Sequence, residues 1–528
     1  MFGADSIIDQ RVAGCFGITL GMDFFRRTGA NARRSEYCVC SYDLEVTFDK
    51  HELAPQRGEI LVGTVLCSCG STFVGTTRDS AYPGSVCYPS SAAVCMELIR
   101  FVMNHKPLVL VGHNVYEYDN VVLLSHLTGQ YSDDPRLNFD GLFTDISGST
   151  EFGYVMRCML TIPGTNNVDT LVWFRATMGS KYTSYALDYL AEQEGIAGKH
   201  KGAKFHCHMD SADYTALVLY NVQDCQIVLD LCKSRCVVDN IIELCVQSGA
   251  TFRDVSLYST GAIGSSAISR HCLLARNSMY NWIPCTTTMD LIHGGTVVYV
   301  GPRAARCVIG LDFNSLYPSI VISGGISPDS VRISPSPHGG SRSLYTVTYE
   351  ARGDAYSCVA EFGPPEDGIA SSACASLVSR RLMAKQGGDH NLQWSLKILA
   401  NSVYGVLAYQ QYPSYSPVCA SCITGTGRWA LELLRVVYSA IPGCEIVYGD
   451  TDSAFAGCIQ GSKTASAVLT HILSFTPFSN LRVSPVMPKS PDASVVYDRM
   501  VVLASKRYSL LDSAGNVTMV GGPSVRRN

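Results

Sequence analysis

Residues 445–458 read EIVYGDTDSAFAGC, two strand-like apolar runs separated by a Gly-Asp-Thr-Asp turn, and this segment constrains the fold most tightly. Turn residues between β-prone runs specify an antiparallel hairpin. Such a hairpin presents Asp450 and Asp452 at one end of a sheet. A second apolar run, VIGLDFNSLYPSI, carries Asp312 at its end. One acid in a turn would mean little. Three at strand termini repel and raise one another's pKa unless a cation sits between them. Oxygen-only donors favour Mg²⁺, with Mn²⁺ as a substitute, over zinc, and Mg²⁺ held by one or two carboxylates completes its shell with substrate phosphates. The expected chemistry is phosphoryl transfer, in which two ions about 3.5–4 Å apart activate the attacking hydroxyl and stabilise the leaving group.

Phosphates also need cationic side chains. Two helices are predicted at about Ala370–Lys385 and Asn391–Ala408. Arg381 and Lys385 are i and i+4 on the first, and Lys397, Asn401 and Tyr404 are i, i+4 and i+7 on the second. Arg381 and Lys385 alone would read as solvated charges. Lys397 lies in LKILANSVYGVLAY, where a solvated charge fits less well.

A second set of acids lies nearer the N-terminus. SYDLEVTF puts Asp43 and Glu45 on one face of a strand, VGHNVYEYDN supplies Asn114, Tyr118 and Asp119, and YNVQDC places Tyr220 and Asp224 one turn apart on a helix. Each alone reads as a solvated edge.

Length and composition frame these sites. The 528 residues provide material for three or four domains, and 47% hydrophobic against 16% charged residues predicts a chain that folds throughout. The formal net charge is −4, so any contact with a polyanion must be local. Arg26, Arg27, Arg33 and Arg34 form a small basic cluster, read as a solvated arm. Asp5 and Asp9 stand where a secretory signal needs positive charge, and no stretch reaches 18 apolar residues, so a soluble, intracellular protein is expected with no membrane partner. The 22 cysteines are scattered, which fits a reducing compartment. Cys67, Cys69, Cys87 and Cys95 lack a pair of CxxC knuckles and read as thiols rather than a zinc site.

Taken together, DFNSLYPSI, KILANSVYG and YGDTDS, in this order, resemble motifs A, B and C of the family B DNA polymerases. The resemblance implies that Asp312 and Asp452 ligate metal with the Phe313 carbonyl, and that Asp450 shapes the site. It also implies that the Ser315 and Leu316 N–H groups hold the triphosphate and that Tyr317 excludes a ribose 2′-OH. Arg381, Lys385 and Lys397 match the triphosphate clamp, Asn401 and Tyr404 line the nascent base pair, and Gly405 lets the backbone approach it. Lys506, Arg507 and Tyr508 resemble the KKRY element that grips the primer end, with Ser505 at its first Lys. Asp43, Glu45, Asp119 and Asp224 match the metal ligands of a DEDD-type 3′-to-5′ exonuclease. Tyr220 would orient the attacking water, and Asn114 and Tyr118 would position a frayed strand. Val46 stands where many relatives have Thr, and Ile292 where many have Tyr in the GG element.

The implied fold class is α/β multidomain: an RNase H-like exonuclease domain plus a family B palm with a two-helix fingers insertion. The expected layout is a short N-terminal segment (1–36), exonuclease (37–235), polar connector (236–293), palm (294–369), fingers (370–409) and palm again (410–528). GGPSVRRN resembles the passage from palm into thumb, so a thumb is expected to be absent. The implied partners are primer-template DNA and dNTPs; the thumb is expected either on a separate chain, alongside or in place of a processivity factor, or in a longer protein of which this is a fragment, and without it primer-template affinity should be low and steeply salt-dependent. The short span from Asp312 to Lys397 favours a nucleic-acid primer, and the brevity and cysteine content suggest a viral or mobile-element origin, hence host nucleus or cytoplasm. Alternatives are a nuclease with a vestigial polymerase half and a non-catalytic replication scaffold; both are opposed by the intact acid sets.

Overall fold

A computed structural model describes residues 37–47, 58–128, 141–150, 153–179, 182, 184–198, 211–276, 294–299, 301–335, 343–351, 354–457, 461–488 and 495–520. The Arg26–Arg34 cluster, Ile292 and GGPSVRRN lie outside the described residues. The chain divides into two compact units, one of residues 1–246 and 250–259, the other of 247–249 and 260–528.

The first unit is built on a mixed six-stranded sheet. Its strands are β1 (Val39–Val46), β2 (Ile60–Cys67), β3 (Thr72–Thr76), β4 (Val86–Cys87), β5 (Val109–Gly112) and β6 (Asn166–Asp169), in the order β6-β5-β1-β2-β3-β4. β1 runs parallel to β5 and antiparallel to β2. Alternation along β1 decides its faces: Cys40, Tyr42 and Leu44 are buried, while Asp43 and Glu45 point the other way and are half-buried. The first three join a core with helix α1 (Ser91–His105) and helix α2 (Asp119–Leu127). Ser90 caps α1 by accepting from the Ala93 N–H, and Lys106 ends it in the left-handed region at φ 53°. Tyr42 donates to Asn120 Oδ1 at 2.5 Å, and Asn120 Nδ2 donates to Asn167 Oδ1 at 2.9 Å, so the buried polar atoms of three elements satisfy one another. Tyr214, Leu217 and Val218 of a 24-residue helix, α3 (Ser211–Ser234), pack on Leu61, Val62 and Val74. Between β6 and the next elements, Asp169 caps the helix Thr170–Met178.

Residues 237–276, expected as a connector, are largely helical: Val237–Ser248, Phe252–Ser256 and, in the second unit, α4 (Thr260–Arg276).

The second unit centres on an antiparallel sheet. Its strands are β7 (Val297–Val298), β8 (Arg303–Phe313), β12 (Glu445–Asp450), β13 (Ser453–Gly457), β14 (Val483–Pro485), β15 (Tyr497–Ala504), β16 (Arg507–Leu511) and β17 (Val517–Val520). They run β7-β12-β13-β8-β15-β16-β17, with β14 pairing β8. A separate sheet holds β9 (Val331–Ser334), β10 (Ser343–Ala351) and β11 (Asp354–Phe362). Helix α5 (Leu316–Gly324) follows β8, with Pro318 in its first turn, where the missing N–H costs nothing. Helices α6 (Ile369–Gln386) and α7 (His390–Ala408) form the expected hairpin. Gly388, at φ 73°, supplies the turn, and Asp389 caps α7 by accepting from the Leu392 N–H. The α7 core stripe is Leu396, Leu399, Ala400, Val403, Val406 and Leu407, the 3.6-residue period of a helix buried on one side. α4 approaches it closely: a Cβ on Gly264 would lie 2.6 Å from Ser402 Oγ. Helix α8 (Pro417–Ser439) starts with Pro at its first turn and Ser416 as its cap, and α9 (Gly461–Ser474) follows β13.

Candidate active sites

Antiparallel pairing of β8 with β13 sets Asp312 opposite Ser453, one residue from Asp452. The GDTD segment is the expected hairpin: Asp450 ends β12, Ser453 begins β13, and Thr451, at φ 52°, supplies the left-handed turn residue. The Phe313 N–H donates to the Asp452 carbonyl at 2.8 Å, locking the end of one strand to the turn of the other. Burial, then the charge of Asp452, pushes the Asp312 carboxyl up to about 7, against the pull of Lys397. Burial also raises Asp452, joined by the charge of Asp450. Both shifts arise from withdrawal from water beside a second negative charge, with Lys397 opposing them. Asp450 is held differently, accepting from Thr451 Oγ1 at 2.9 Å and from the Tyr448 hydroxyl at 3.4 Å.

Around this pair, Ser315 sits at φ 50° and its hydroxyl accepts from Arg381 Nη1 at 2.9 Å. Leu316 is buried as the first residue of α5, and the ring of Tyr317 next to it lies 4.6 Å, centroid to centroid, from that of Tyr404. Burial moves the Tyr317 hydroxyl up to about 12. Gly427 on α8 backs this ring, since a Cβ there would come within 2.9 Å of it. Lys397 and Asn401 are exposed on α7, opposite the core stripe, with Tyr404 and Gly405 half-buried. A Cβ on Gly405 would meet nothing within 4 Å, leaving the backbone open. Lys385 is exposed on α6. The Lys506 N–H donates to the Tyr448 hydroxyl at 2.8 Å, and the Tyr508 ring packs 5.1 Å from Tyr448. Arg507 begins β16 and is exposed.

Sequence reasoning missed Tyr448, which links Lys506 to Asp450, and Arg428, whose Nη1 donates to the Gly294 carbonyl at 2.9 Å. The Tyr at the fourth position of EIVYGDTD was a signal for the first, since a buried Tyr hydroxyl seeks a partner. Arg428 offered none, because its role depends on chain distant in sequence.

In the first unit, carboxylate oxygens of Asp43, Glu45 and Asp224 all lie within 4.8 Å of one another. Asn221 Nδ2 donates to Asp43 Oδ2 at 2.7 Å. The fourth acid, Asp119, is not in this group. It is buried at the start of α2, and its Oδ1 accepts from the Leu44 N–H at 2.9 Å. Burial raises its carboxyl to about 7, with the charge of Asp224 adding to the shift. Tyr118 stands against the acids: burial and the charges of Asp119, Glu45 and Asp43 push its hydroxyl up to about 12. Tyr220 is half-buried one turn before Asp224 on α3. Asn114, at φ 66°, donates its N–H to Asp169 Oδ1 at 2.9 Å. Asp169 was not singled out from the sequence. It also accepts from the Tyr116 N–H and caps the next helix, so it fixes the loop that carries Asn114 and Tyr118. Val46 is half-buried and packs on the β1 core.

The four cysteines first considered together do not converge. Cys95 is buried in α1 and Cys87 is exposed on β4. Cys67, expected as a thiol, is disulfide-bonded to Cys40, because the β1–β2 register sets the two residues directly opposite.

An antiparallel sheet with carboxylates at its strand ends, and a helical hairpin inserted between the strands that carry them, is the palm-and-fingers architecture of polymerases. The family model described as DNA polymerase family B matches residues 264–528, and the chain belongs to that family. It is 27% identical over 514 residues to the DNA polymerase of Paramecium bursaria Chlorella virus NY2A, covering 84% of this chain and 54% of the relative. It is 24% identical over 460 residues to DNA polymerase 1 of Pyrococcus abyssi, covering 83% and 56%. The solved family B DNA polymerase of Pyrobaculum calidifontis shares the fold, with a TM-score of 0.64 at 21% identity over 92% of this chain and 60% of that one. The chain thus spans about half the length of the curated relatives it matches. Among the described residues no helix is long and apolar enough to cross a membrane.

Proposed function

We propose that the chain extends a DNA primer on a template with dNTPs and removes mispaired 3′ ends by hydrolysis. On this reading residues 294–369 and 410–528 act as palm, 370–409 as fingers and 37–235 as exonuclease. The observation that carries it is the pairing of Asp312 with the Asp450–Asp452 hairpin, which gathers the carboxylates at one end of the sheet within the influence of Lys397. The donor set fits a hard divalent cation: Asp312, Asp452 and the Phe313 carbonyl in the palm, and Asp43, Glu45 and Asp224 with Asp119 bordering them in the first unit. Mg²⁺, or Mn²⁺ in its place, would neutralise the developing phosphoryl charge and lower the pKa of the attacking oxygen.

The chain's own groups do the rest. Arg381, Lys385 and Lys397 would draw the triphosphate to the N-terminus of α5, where the Ser315 and Leu316 N–H groups face it. Tyr317, braced by Tyr404 and by Gly427 behind it, would fill the space of a ribose 2′-OH and select deoxynucleotides. Asn401, Tyr404 and Gly405 would border the new base pair. Lys506, Arg507 and Tyr508, tied to Asp450 through Tyr448, would set the primer end. In the first unit Tyr220 would orient the water, while Asn114 and Tyr118 would hold the unpaired strand.

Primer extension separates the two activities. Asp452→Ala should abolish synthesis and spare degradation, and Asp43→Ala should do the reverse. Loss of both activities from either change would refute the assignment of two centres.

A further inference from the structure

Two Cys-x-Cys pairs, Cys38/Cys40 and Cys67/Cys69, lie on neighbouring chain segments of the first unit, at the end of the sheet where β1 begins. Cys38, immediately before β1, and Cys40, on it, have their sulfurs 3.9 Å apart. The β1–β2 register puts Cys67 opposite Cys40, and Cys69 follows in the turn before β3. His105 arrives from elsewhere, in the last turn of α1. Its Nε2 lies 3.3 Å from Cys38 Sγ and 3.3 Å from Cys69 Sγ, and its ring is stacked on Phe101, 5.6 Å centroid to centroid. Donor atoms of Cys38, Cys40, Cys67 and His105 all lie within 4.8 Å of one another.

We propose that the reduced chain binds one zinc ion here, through Cys38, Cys40, Cys67 and His105, with Cys69 flanking as a further sulfur donor. The spacing supports the reading. A tetrahedral zinc with bonds of about 2.3 Å to sulfur and 2.0–2.1 Å to nitrogen separates its ligand atoms by about 3.5–3.8 Å, and the separations of 3.9 and 3.3 Å bracket that range. Three soft thiolates and an imidazole select zinc over magnesium, so this site differs in kind from the all-oxygen clusters and does not depend on the proposed activities. Ligands from β1, the end of β2 and the end of α1 make it a structural pin across three elements. It also anchors the strand that carries Asp43 three residues after Cys40.

Zinc and the Cys40–Cys67 disulfide exclude each other, because the oxidised pair has no thiolate to offer. A dithiol reductant would convert the bond to two thiols while becoming a disulfide itself. Each cysteine would then lose one proton on binding the metal.

The test is metal content of the full chain, purified with reductant, loaded with Zn²⁺ and dialysed against metal-free buffer. About one tightly held zinc per chain is expected, released only by a strong chelator. Cys38→Ser and His105→Ala should each weaken retention at least tenfold, and Cys95→Ser, a thiol buried elsewhere, should leave it unchanged. Co²⁺ in place of zinc should show thiolate charge-transfer absorption and the visible bands of a tetrahedral ion, a readout of ligand identity that needs no activity. No retained zinc in the reduced wild type, equal retention in Cys38→Ser and His105→Ala, or an octahedral cobalt spectrum would each overturn the proposal.

Discussion

Asp312 sits at the end of one strand, beside the turn of another. Its position at the end of an apolar strand was legible, because hydrophobic runs that stop at an acid are read directly from the chain. The register that sets it beside the Asp452 turn was not, since the pairing joins segments far apart in sequence. Its carboxyl rises from 3.8 to about 7 through burial and the charge of Asp452. Between about pH 4 and 7 the folded chain therefore keeps a proton that the unfolded chain has released, and raising pH through this window removes it and lowers stability. Without divalent ions, the thermal midpoint of the second unit should fall as pH rises from 4 to 7. Asp312→Asn should flatten that slope, and added Mg²⁺ should do likewise. An unaltered slope in Asp312→Asn would count against the assignment. At the same scale, Asp119 shows what residue identity leaves unsaid: its hydrogen bond from the Leu44 N–H joins α2 to β1, segments far apart in sequence.

At the scale of elements, the fingers hairpin was the most readable part. Helices expected at 370–385 and 391–408 occur at Ile369–Gln386 and His390–Ala408, because a long 3.6-residue period, a Gly-Gly turn and an Asp cap all agree. The β10–β11 hairpin was not anticipated, although SLYTVTYEA alternates in the manner of a strand. Likewise VVDNIIELCVQS has helical spacing, yet it lies in the stretch that composition reads as a polar connector. β8 also begins earlier than its apolar run, since Arg303–Cys307 is stabilised by pairing with β15 rather than by burial. The two faces of α7 predict separable phenotypes. Leu399→Ala, in the core stripe, should cost about 2–5 kcal/mol of stability by urea unfolding. Lys397→Ala, two positions earlier and exposed, should change stability by less than about 0.5 kcal/mol yet sharply weaken dNTP incorporation. If the lysine change unfolded the chain, or left incorporation intact, its assignment to the triphosphate would fail.

For the molecule as a whole, the proposed pairing of synthesis with hydrolysis has a physical motive. A pocket that sorts substrates by fit discriminates by roughly 10–200-fold, and a mispaired end frays more readily into a single-strand site. Wild-type protein on a matched primer should therefore shorten it without dNTPs and lengthen it as dNTPs rise, and it should trim a mismatched terminus before extending. Asp43→Ala should leave both kinds of terminus untrimmed, and continued trimming by that variant would place hydrolysis elsewhere. The order of segments in the second unit adds a mechanical point. Chain leaves the sheet at Phe313, makes the α6–α7 hairpin, and returns at Glu445 to the strand pair flanking β8. Through the intervening elements the hairpin, whose α7 also packs against α4, is thus tethered at both ends to the same sheet. Its tip at Gly387–Gly388 is the place where the polypeptide could be cut in two and still leave each half anchored beside an acid.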